Sequence, residues 1–418
     1  MTSPFRRSVA EHQDAIEALL SPGLRTLGSE PVALDDALGR TLASDLVAPR
    51  ALPPWDNSQM DGYAVHSGDL GTGPLQVVAP IAAGQTAPAL ERGTAAPIMT
   101  GAPMPVGSNT VVPIEAAVPD AFPTEHQIAA GFKVKLPGSS AEGAYVRTLG
   151  SDIAEGAVVV KAGTRLGPTA LGLLAGLGVE TVEVLAAPRV LLLSTGDELV
   201  APGAQLGPGQ IHDANTTLLR ECLRTAGCQV DTAGVLDDSS EHFSRSLASA
   251  LAAREQEYQL VLSSGGISKG AFDVVKEVLA GHGIGFGSVA MQPGGPQGAG
   301  TLALPGTSPV PFIALPGNPV SAYVSFEMFL RPVLAAVLGL PTRIQTTATL
   351  TEYLDSLEGK VQIRRGTFAN GGFTPLGGAS SHLLAALAAS NAFLLIDENT
   401  TTLPAGSDVQ VLIIGDGS

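Results

Sequence analysis

Strand-like and helix-like patterns of hydrophobic residues alternate along the chain between residues 190 and 338. Short apolar runs predict buried strands at 190–193, 259–263 and 311–315, and a further strand is predicted at 228–236. Amphipathic or small-residue spacing predicts helices at 214–226, 240–254, 271–282 and 320–338. Strands that alternate with helices in this way are typical of βαβ units. We therefore predict an α/β domain built on a parallel-type sheet.

The pattern is different on the N-terminal side of this region. Residues 8–20 have the spacing of an amphipathic helix, and residues 32–46 predict a short helix that leads into a strand. From about 47 to 140, short β-like segments are broken by Gly and Pro. A small-residue helix follows, with Pro168 near its start and Gly178 at its end. These features predict a β-rich insertion between helical and loop segments.

The pattern becomes β-like again after Pro341, with Gly turns and one Ala-rich segment at 383–389. It predicts a C-terminal β domain. A chain of 418 residues is expected to form roughly two to four domains. Its content of 44% hydrophobic and 15% charged residues is typical of a globular protein.

The net charge of −16 argues against a general role in binding nucleic acid or a membrane surface. Such roles need a basic surface that displaces counterions. An anionic ligand is still compatible with this charge, because a turn, a helix N-terminus or a bound metal can supply a local positive site. We expect no nucleic-acid partner and no membrane partner.

The cysteines, the histidines and the N-terminal segment narrow the class of protein further. Cys222 and Cys228 have no CxxC spacing and are expected to be structural thiols, and the seven histidines are too scattered to predict a metal centre. The N-terminal segment has amphipathic spacing and not the apolar core of a signal peptide. No apolar run reaches the roughly 18 residues of a membrane span. We therefore expect a cytoplasmic protein.

Polar and glycine residues follow two of the predicted strands. STGDE comes directly after 190–193, and SSGGISKGAFD includes the end of the strand at 259–263. Ligands of open α/β sheets bind at the carboxyl ends of strands, where Gly-rich turns and helix N-termini bind phosphate and carboxylates bind a hard cation. The two turns predict one crevice for a phosphorylated small molecule and Mg²⁺. A strand, turn and helix with a purely structural role would give the same pattern.

The two turns differ from the common nucleotide-binding motifs. The P-loop spacing G-x-x-x-x-G-K-[ST] is absent, as is G-x-G-x-x-G after a strand, so neither a generic NTPase nor a dinucleotide dehydrogenase is supported. Paired glycines permit close approach of backbone to ligand, and hydroxyls are candidate phosphate donors. The candidate residues are Ser194, Thr195, Gly196, Asp197, Glu198, Ser263, Ser264, Gly265, Gly266, Ser268, Lys269 and Asp273.

Three segments before residue 160 carry polar clusters that each allow two interpretations. Asp56 and Asp61, in PPWDNSQMDGYA, suit ordinary turns or the coordination of a cation or oxyanion. Thr100, at the end of a predicted strand, lies in a Pro-stiffened turn or offers a neutral donor to an anion or sugar. Arg147 and Asp152, in RTLGSD, form a weak surface pair or belong to a site.

Taken together and in order, these segments resemble the MoeA family, the molybdopterin molybdenumtransferases, whose eukaryotic counterpart is the E domain of gephyrin. The resemblance spans nearly the whole chain and rests on DNSQMDGYAV, IMTGAPMPVGSNTVV, RTLGSD, STGDEL with GQIHDAN, SSGGISKGAFD and LPGNPVS. It implies a homodimer with sites formed partly between subunits. It also implies four domains: an elongated domain at 1–46 and 141–184, a β-rich insertion domain at 47–140, a molybdopterin-binding α/β domain at 185–338 and a C-terminal β-barrel domain at 339–418.

The resemblance also implies an activity, the insertion of molybdenum from molybdate into adenylylated molybdopterin with Mg²⁺-dependent release of AMP. Expected protein partners are molybdopterin adenylyltransferase and apo-molybdoenzymes. By motif position, the implied catalytic residues are Asp56, Asp61, Thr100, Asp152, Asp237 and Asp273. The implied residues for Mg²⁺ or the pterin side are Glu198, Asp237 and Asp273. Further implied substrate contacts, beyond the two turns, are Pro316, Asn318, Pro319, Arg365 and Ser381.

One departure from the family pattern concerns lysines. Many relatives have a KPGKP-like segment after the SGG motif, whereas this chain reads SVAMQPGGP at 288–296. Gln292 can hydrogen-bond an oxyanion but cannot neutralise it, so anion binding would rely more on Lys269, Arg147 or Arg365. A scaffold protein that binds molybdopterin without turnover is therefore one alternative. Another is molybdopterin adenylyltransferase, which shares the α/β domain.

Overall fold

The chain forms two compact units in a computed structural model that describes residues 5–236, 240–252, 257–267, 274–279 and 281–415. The larger unit comprises Met1–Glu30, Gly39–Thr41 and Val184–Ser418. The smaller unit comprises Pro31–Leu38 and Leu42–Glu183. The chain passes from one unit to the other within two short strands, Ser29–Ala33 and Thr181–Leu185, and also on either side of Gly39–Thr41.

A seven-stranded mixed sheet lies at the centre of the larger unit. Its strands, in spatial order, are Phe5–Arg7, Ile284–Val289, Pro296–Leu302, Val310–Leu315, Leu260–Ser264, Arg189–Thr195 and Gln229–Leu236. The last four are parallel to one another, which confirms the predicted α/β arrangement. The strand Pro296–Leu302 is antiparallel to both of its neighbours, so the sheet is parallel in one half and mixed in the other.

Three strands of the parallel half, Arg189–Thr195, Leu260–Ser264 and Val310–Leu315, are buried on both faces, which explains the continuous apolar runs in their sequences. Val190 and Leu192 belong to one hydrophobic cluster, and Leu191 and Leu193 belong to another. Successive side chains of a strand point to opposite faces of the sheet, so each strand contributes to both clusters. Cys222 and Cys228 are free thiols on the first of these faces, and burial raises the pKa of each to about 12.

Helices cover the faces of this sheet. Val9–Arg25 begins with a capping box formed by Ser8 and Glu11, and it buries Ile16, Leu20 and Leu24 in the core. The other described helices of the larger unit are Asn215–Thr225, Ser240–Ala252, Val274–Leu279, Pro319–Ser325, Phe326–Leu330, Arg331–Leu338 and Leu384–Ala388. The segment Phe326–Leu330 is a π-helix, and it joins the helices on either side into one stretch.

That stretch, Pro319–Leu338, is long and apolar enough by length and composition to cross a membrane. An 18-residue window within it has a mean hydropathy of 1.4. The sequence expectation that no segment reaches this length was therefore too strict. However, 72% of the window is buried within the fold, and Phe329 and Leu330 are among its most buried side chains. Its apolar surface packs in the protein core.

The C-terminal region forms a closed barrel, as the family resemblance implies. Its strands, in spatial order, are Met291–Gln292, Val361–Ala369, Gly372–Pro375, Gln345–Leu350, Asp408–Ile413 and Ala392–Ile396. The barrel closes because Val361–Ala369 also pairs with Ala392–Ile396. Its first strand, Met291–Gln292, comes from the segment between two strands of the mixed sheet. Short two-stranded pairs are formed by Leu354–Asp355 with Thr402–Leu403 and by Leu199–Val200 with Ile211–His212.

The smaller unit is built around a five-stranded sheet. Its strands, in spatial order, are Thr110–Pro113, Gly62–Val65, Thr94–Ile98, Leu75–Val77 and Lys133–Val134. Paired short strands are Asn57–Ser58 with Val146–Arg147 and Leu46–Val47 with Val158–Val160. Its helical segments are Leu34–Asp36, Ser67–Asp69, Ile114–Ala116, Glu125–Ala129 and Pro168–Gly176. The helix predicted at 32–46 is wrong in extent, because only one 3₁₀ turn, Leu34–Asp36, forms there.

Candidate functional site

A cleft of about 880 Å³ lies at the carboxyl ends of the central parallel strands of the larger unit. The turns that follow Arg189–Thr195, Leu260–Ser264 and Val310–Leu315 line it. The segment 291–296 and the barrel turn 379–381 complete its lining. This is the edge of an open α/β sheet at which ligands bind.

Two glycines form part of the cleft surface, and a larger residue would not fit at either position. Gly265 has a φ of +97°, and a Cβ at this position would lie 2.6 Å from the carbonyl oxygen of Thr195. Gly266 has a φ of +63°, and its Cβ would lie 2.7 Å from Cγ2 of Val275. Both the backbone conformation and the close packing therefore require glycine. The turn brings backbone directly to the cleft surface.

Asn215 connects two of the turns that line the cleft. Its Nδ2 donates hydrogen bonds to Oγ of Ser264 at 2.7 Å and to the carbonyl oxygen of Gly317 at 2.6 Å. Two residues earlier, Asp213 accepts hydrogen bonds from the N–H of Thr216 at 3.0 Å and from its hydroxyl at 2.5 Å. Asp213 and Asn215 are both buried, so the start of the helix Asn215–Thr225 is fixed against the cleft.

Oxygen atoms with unused hydrogen-bonding capacity line the cleft. Oγ1 of Thr195 and Oδ1 of Asn215 are buried and have no partner among the described residues. The side chain of Glu198 is also part of the lining. No three His, Cys, Asp or Glu residues of the described chain lie together as a ready metal site. The predicted residues Asp237, Ser268, Lys269 and Asp273 lie outside the described residues.

The structure places most of the described candidates of the larger unit on the cleft surface. These are Thr195, Gly196, Glu198, Ser264, Gly265, Gly266, Pro316, Asn318, Pro319 and Ser381. Nδ2 of Asn318 donates to Oγ of Ser381 at 2.7 Å, which joins the strand-end turn to the barrel turn. The remaining candidates, Ser194, Asp197 and Ser263, are not part of the lining.

Arg365 does not line the cleft either. It is only 3% exposed, and its Nη2 donates to the carbonyl oxygen of Gly378 at 3.0 Å. Burial lowers the pKa of its guanidinium, and the neighbouring charge of Arg364 lowers it further. In this position Arg365 contacts the residue that precedes the barrel turn 379–381 and is not part of the cleft surface.

Several residues of the cleft surface were not among the sequence candidates. Asp213 and Asn215 could have been found from GQIHDAN, because that motif follows STGDEL and supports the resemblance. Lys360 and Ser380 also line the cleft. Ser380 is next to the candidate Ser381, whereas nothing in the local sequence marks Lys360, which reaches the cleft through the fold of the barrel.

In the smaller unit, three loop segments that carry predicted residues are joined to one another. Oδ1 of Asp61 accepts hydrogen bonds from the N–H of Thr100 at 2.7 Å and from its hydroxyl at 2.8 Å. These two hydrogen bonds, the backbone one first, lower the pKa of Asp61 below its usual value. The turn interpretation and the binding interpretation of this segment are both compatible with an ionised, exposed carboxylate.

Asp56 joins the same set of loops. Its Oδ1 accepts a hydrogen bond from the N–H of Leu149 at 2.6 Å, and its carbonyl oxygen accepts one from Met104 at 2.9 Å. Arg147 and Asp152 are exposed and form no ion pair with each other, so the surface-pair interpretation is wrong.

Comparison with known proteins matches nearly the whole chain. Residues 7–178 match the family described as MoeA N-terminal region (domain I and II), residues 191–336 match "Probable molybdopterin binding domain", and residues 347–414 match MoeA C-terminal region (domain IV). The chain is 39% identical to Molybdopterin molybdenumtransferase 2 of Mycobacterium tuberculosis over 97% of this chain and 99% of the relative. It is 33% identical to Molybdopterin molybdenumtransferase of Haemophilus influenzae over 92% and 93%.

Solved structures are similar over the same extent. A crystal structure of the molybdopterin biosynthesis MoeA protein from Pyrococcus horikoshii has a TM-score of 0.78 and 27% identity, and it covers 98% of this chain and 100% of that chain. A second structure of the protein from that organism has a TM-score of 0.70 at 25% identity with the same coverage.

Proposed function

This chain belongs to the MoeA family, and we propose that it acts as a molybdopterin molybdenumtransferase, an enzyme of molybdenum cofactor biosynthesis. The relatives that align over nearly its whole length carry that transferase name. Neither a scaffold protein without turnover nor a molybdopterin adenylyltransferase receives support from those relatives. The observation that carries the proposal is the cleft, whose glycine turn and hydroxyls at the strand ends suit a pterin substrate with phosphate groups.

The substrates are adenylylated molybdopterin and molybdate, and the products are the molybdenum-loaded cofactor and AMP. Gly265 and Gly266 bring backbone close to the substrate, and Asn215 holds that turn in place through Ser264. Asn318 and Ser381 form an adjoining wall. The chain thus orients the phosphoanhydride that is cleaved when AMP is released, and fixed orientation is itself a large part of catalysis.

The cleft also fits a Mg²⁺ ion in its chemistry. The carboxylate of Glu198 and the unpartnered oxygens of Thr195 and Asn215 are the oxygen ligands that Mg²⁺ prefers. Asp237 and Asp273 are the further proposed ligands. When bound, Mg²⁺ would neutralise charge on the phosphate oxygens. The residues of this chain would hold the ion next to the phosphate groups.

We also propose a cytoplasmic homodimer in which sites are formed partly between subunits, together with the four-domain division stated above. Molybdopterin adenylyltransferase and apo-molybdoenzymes are its proposed partners. Subunit mixing tests the shared site. Purified Glu198→Gln and Asp61→Asn variants are each expected to be inactive. Mixed dimers should recover activity if one site draws its residues from two subunits, and no recovery would contradict that arrangement.

The experiment that tests the function is AMP release from adenylylated molybdopterin, measured with and without molybdate and Mg²⁺. Molybdate-stimulated release, followed by activation of an apo-molybdoenzyme by the product, is the expected result. Tight pterin binding without AMP release, under conditions in which the M. tuberculosis relative turns over, would overturn the proposal. ATP consumption with free molybdopterin would point to adenylyl transfer instead.

A further inference from the structure

One lysine stands out among the residues that line the cleft. The described lining contains carboxylates, hydroxyls, amides, glycines and prolines, and its single Lys or Arg residue is Lys360. The wall formed by residues 293–296 is Pro-Gly-Gly-Pro and carries no charge. Lys360 is exposed and forms no ion pair with any described residue, so its ammonium group is available to a ligand.

The position of Lys360 is fixed by the barrel. The N–H of Val361 donates to the carbonyl oxygen of Ala290 at 2.9 Å, and Val361 pairs with Met291. The next pair along the two parallel strands is Gln362 with Gln292. Lys360 therefore directly precedes the barrel strand Val361–Ala369, beside the segment that forms a wall of the cleft.

A chain of hydrogen bonds determines which end of the Gln292 amide is free. Nε of Arg364 can only donate, and it donates to Oε1 of Gln362 at 2.8 Å. The opposite end of that amide, Nε2 of Gln362, then donates to Oε1 of Gln292 at 2.7 Å. A flipped Gln362 amide would set its NH₂ group against the N–H of Arg364, donor against donor, which excludes the alternative orientation. Gln292 is left with its NH₂ group as a donor, and it lines the cleft.

We propose that Lys360 and the NH₂ group of Gln292 form an anion-binding corner of the cleft, which holds one tetrahedral oxyanion group. The two candidate anions, molybdate and the phosphate of AMP, rest on the proposed function. The corner combines the positive charge of the exposed Lys360 side chain with the oriented, neutral NH₂ donor of Gln292. In this chain the charge is supplied from the barrel strand and not from the wall at 292–295, where the family resemblance leads one to expect lysines.

The test compares Lys360→Gln, Lys360→Arg and a matched control, Lys133→Gln. Lys133 is exposed on the smaller unit, so its substitution changes the net charge equally without touching the cleft. Isothermal titration calorimetry of the full chain measures binding of molybdate alone and of AMP alone. Lys360→Gln should weaken binding of the anion held by the corner by about tenfold, because a charge-assisted hydrogen bond is lost. Lys360→Arg should stay within about threefold of the wild type because the charge is kept.

The two probes distinguish the sources of the oxyanion. If Lys360→Gln weakens the binding of molybdate but not of AMP, the corner is assigned to molybdate. If it weakens the binding of AMP but not of molybdate, the corner is assigned to the nucleotide phosphate. If Lys360→Gln binds both probes as the Lys133→Gln control does, or if the wild type binds neither, the inference is overturned. Neither measurement requires turnover. Wild-type protein that binds an anion through Lys360 but releases no AMP would refute the proposed function and leave this inference intact.

Gln362 is a positioning residue, and a double-mutant cycle tests its role. Gln362→Met keeps the volume of the side chain but removes the donor to Gln292. In the wild-type background it should weaken anion binding by about threefold, which is the size expected for one neutral hydrogen bond. In a Gln292→Met background it should have no further effect, because the oriented amide is already absent. An equal loss in both backgrounds would show that Gln362 acts only on the barrel structure.

Discussion

The close approach of Gly265 to the neighbouring strand gives a sharp test of how the cleft is formed. Replacing this residue by alanine would place a Cβ 2.6 Å from the carbonyl oxygen of Thr195. Ordinary van der Waals contact begins at 3.4 Å, so the two groups must separate by about 0.8 Å. Thr195 ends the strand Arg189–Thr195, which pairs with Leu260–Ser264 directly before the glycine turn. The substitution therefore separates two strand ends at the cleft.

The expected cost has two parts. A non-glycine residue at a φ of +97° pays about 1–2 kcal/mol, and forcing an extra methyl group into a packed position costs about 1–3 kcal/mol. A gain of about 0.4–1 kcal/mol from the stiffer unfolded chain offsets part of this. We expect Gly265→Ala to lower the free energy of unfolding by about 3 kcal/mol. A displacement of this size at the substrate should also slow AMP release by about 10- to 100-fold.

Gly306→Ala is the matched control. Gly306 lies in the same unit with a φ of +80°, but a Cβ at this position would meet no atom within 4 Å. It should therefore lose only about 1 kcal/mol of stability, from backbone conformation, and keep its rate of AMP release. Denaturant unfolding and the AMP-release assay measure both variants. If Gly265→Ala matches Gly306→Ala in stability and rate, the close approach does not set the geometry of the cleft.

Three further predictions concern the contacts of single side chains. Asn215→Ala should destabilise the larger unit by about 2–3 kcal/mol in denaturant unfolding and reduce AMP release, because two buried hydrogen bonds are lost. Thr100→Val should raise the pKa of Asp61 in an NMR titration, because the hydroxyl hydrogen bond is removed while the N–H remains. The wild-type contact stabilises the fold fully above the unfolded-state pKa of Asp61 and is lost as pH falls through the lower folded-state pKa. Arg343→Met should cost about 1.5–3 kcal/mol, since it removes two hydrogen bonds to buried Glu327 while Arg331, 3.9 Å from the same carboxylate, still balances part of its charge.

Each of these predictions has a conservative control. Asn399→Ala removes one side-chain hydrogen bond to Asp397 in an exposed turn and should leave the unfolding midpoint nearly unchanged. Thr100→Ser keeps the hydroxyl and should keep the pKa of Asp61 at its wild-type value. Arg224→Met breaks an exposed pair with Glu221 and should change stability little. A large effect in a control, or a small one in its partner variant, would contradict the assignment of that contact.

The parallel half of the mixed sheet could be predicted because its signal is local. Strands such as Arg189–Thr195 are continuous apolar runs, and helices such as Asn215–Thr225 have amphipathic spacing. The strands Ile284–Val289 and Pro296–Leu302 could not be predicted in this way, because several of their positions are glycine. A Cβ at Gly287 would lie 2.2 Å from the carbonyl oxygen of Phe5. That glycine serves a contact with a strand about 280 residues away in sequence, which no local pattern reveals.

In the cleft, too, some residues could be predicted from local sequence and others depend on contacts between distant segments. Its glycine turn and strand-end hydroxyls follow from the rule that ligands lie at strand ends, and the structure places Thr195, Ser264 and Gly265 there. Arg365 was expected at the ligand because it is charged and matches a motif position. The structure instead buries it beside a turn, while Lys360, five residues earlier, lines the cleft. Which charge faces a ligand depends on the barrel register, and that register is set by pairing between distant segments.

The two-residue strand Met291–Gln292 limits how this protein can be divided or recombined. It is contributed by the connection between two strands of the mixed sheet, yet its hydrogen bonds are made to the barrel strand Val361–Ala369. A chain cut after residue 338 would leave those bonds unmade and remove Lys360 and Ser381 from the cleft. The barrel is therefore not a detachable module. An exchange between relatives that kept the catalytic region and replaced the C-terminal part would have to carry residues 291–292 with the incoming barrel.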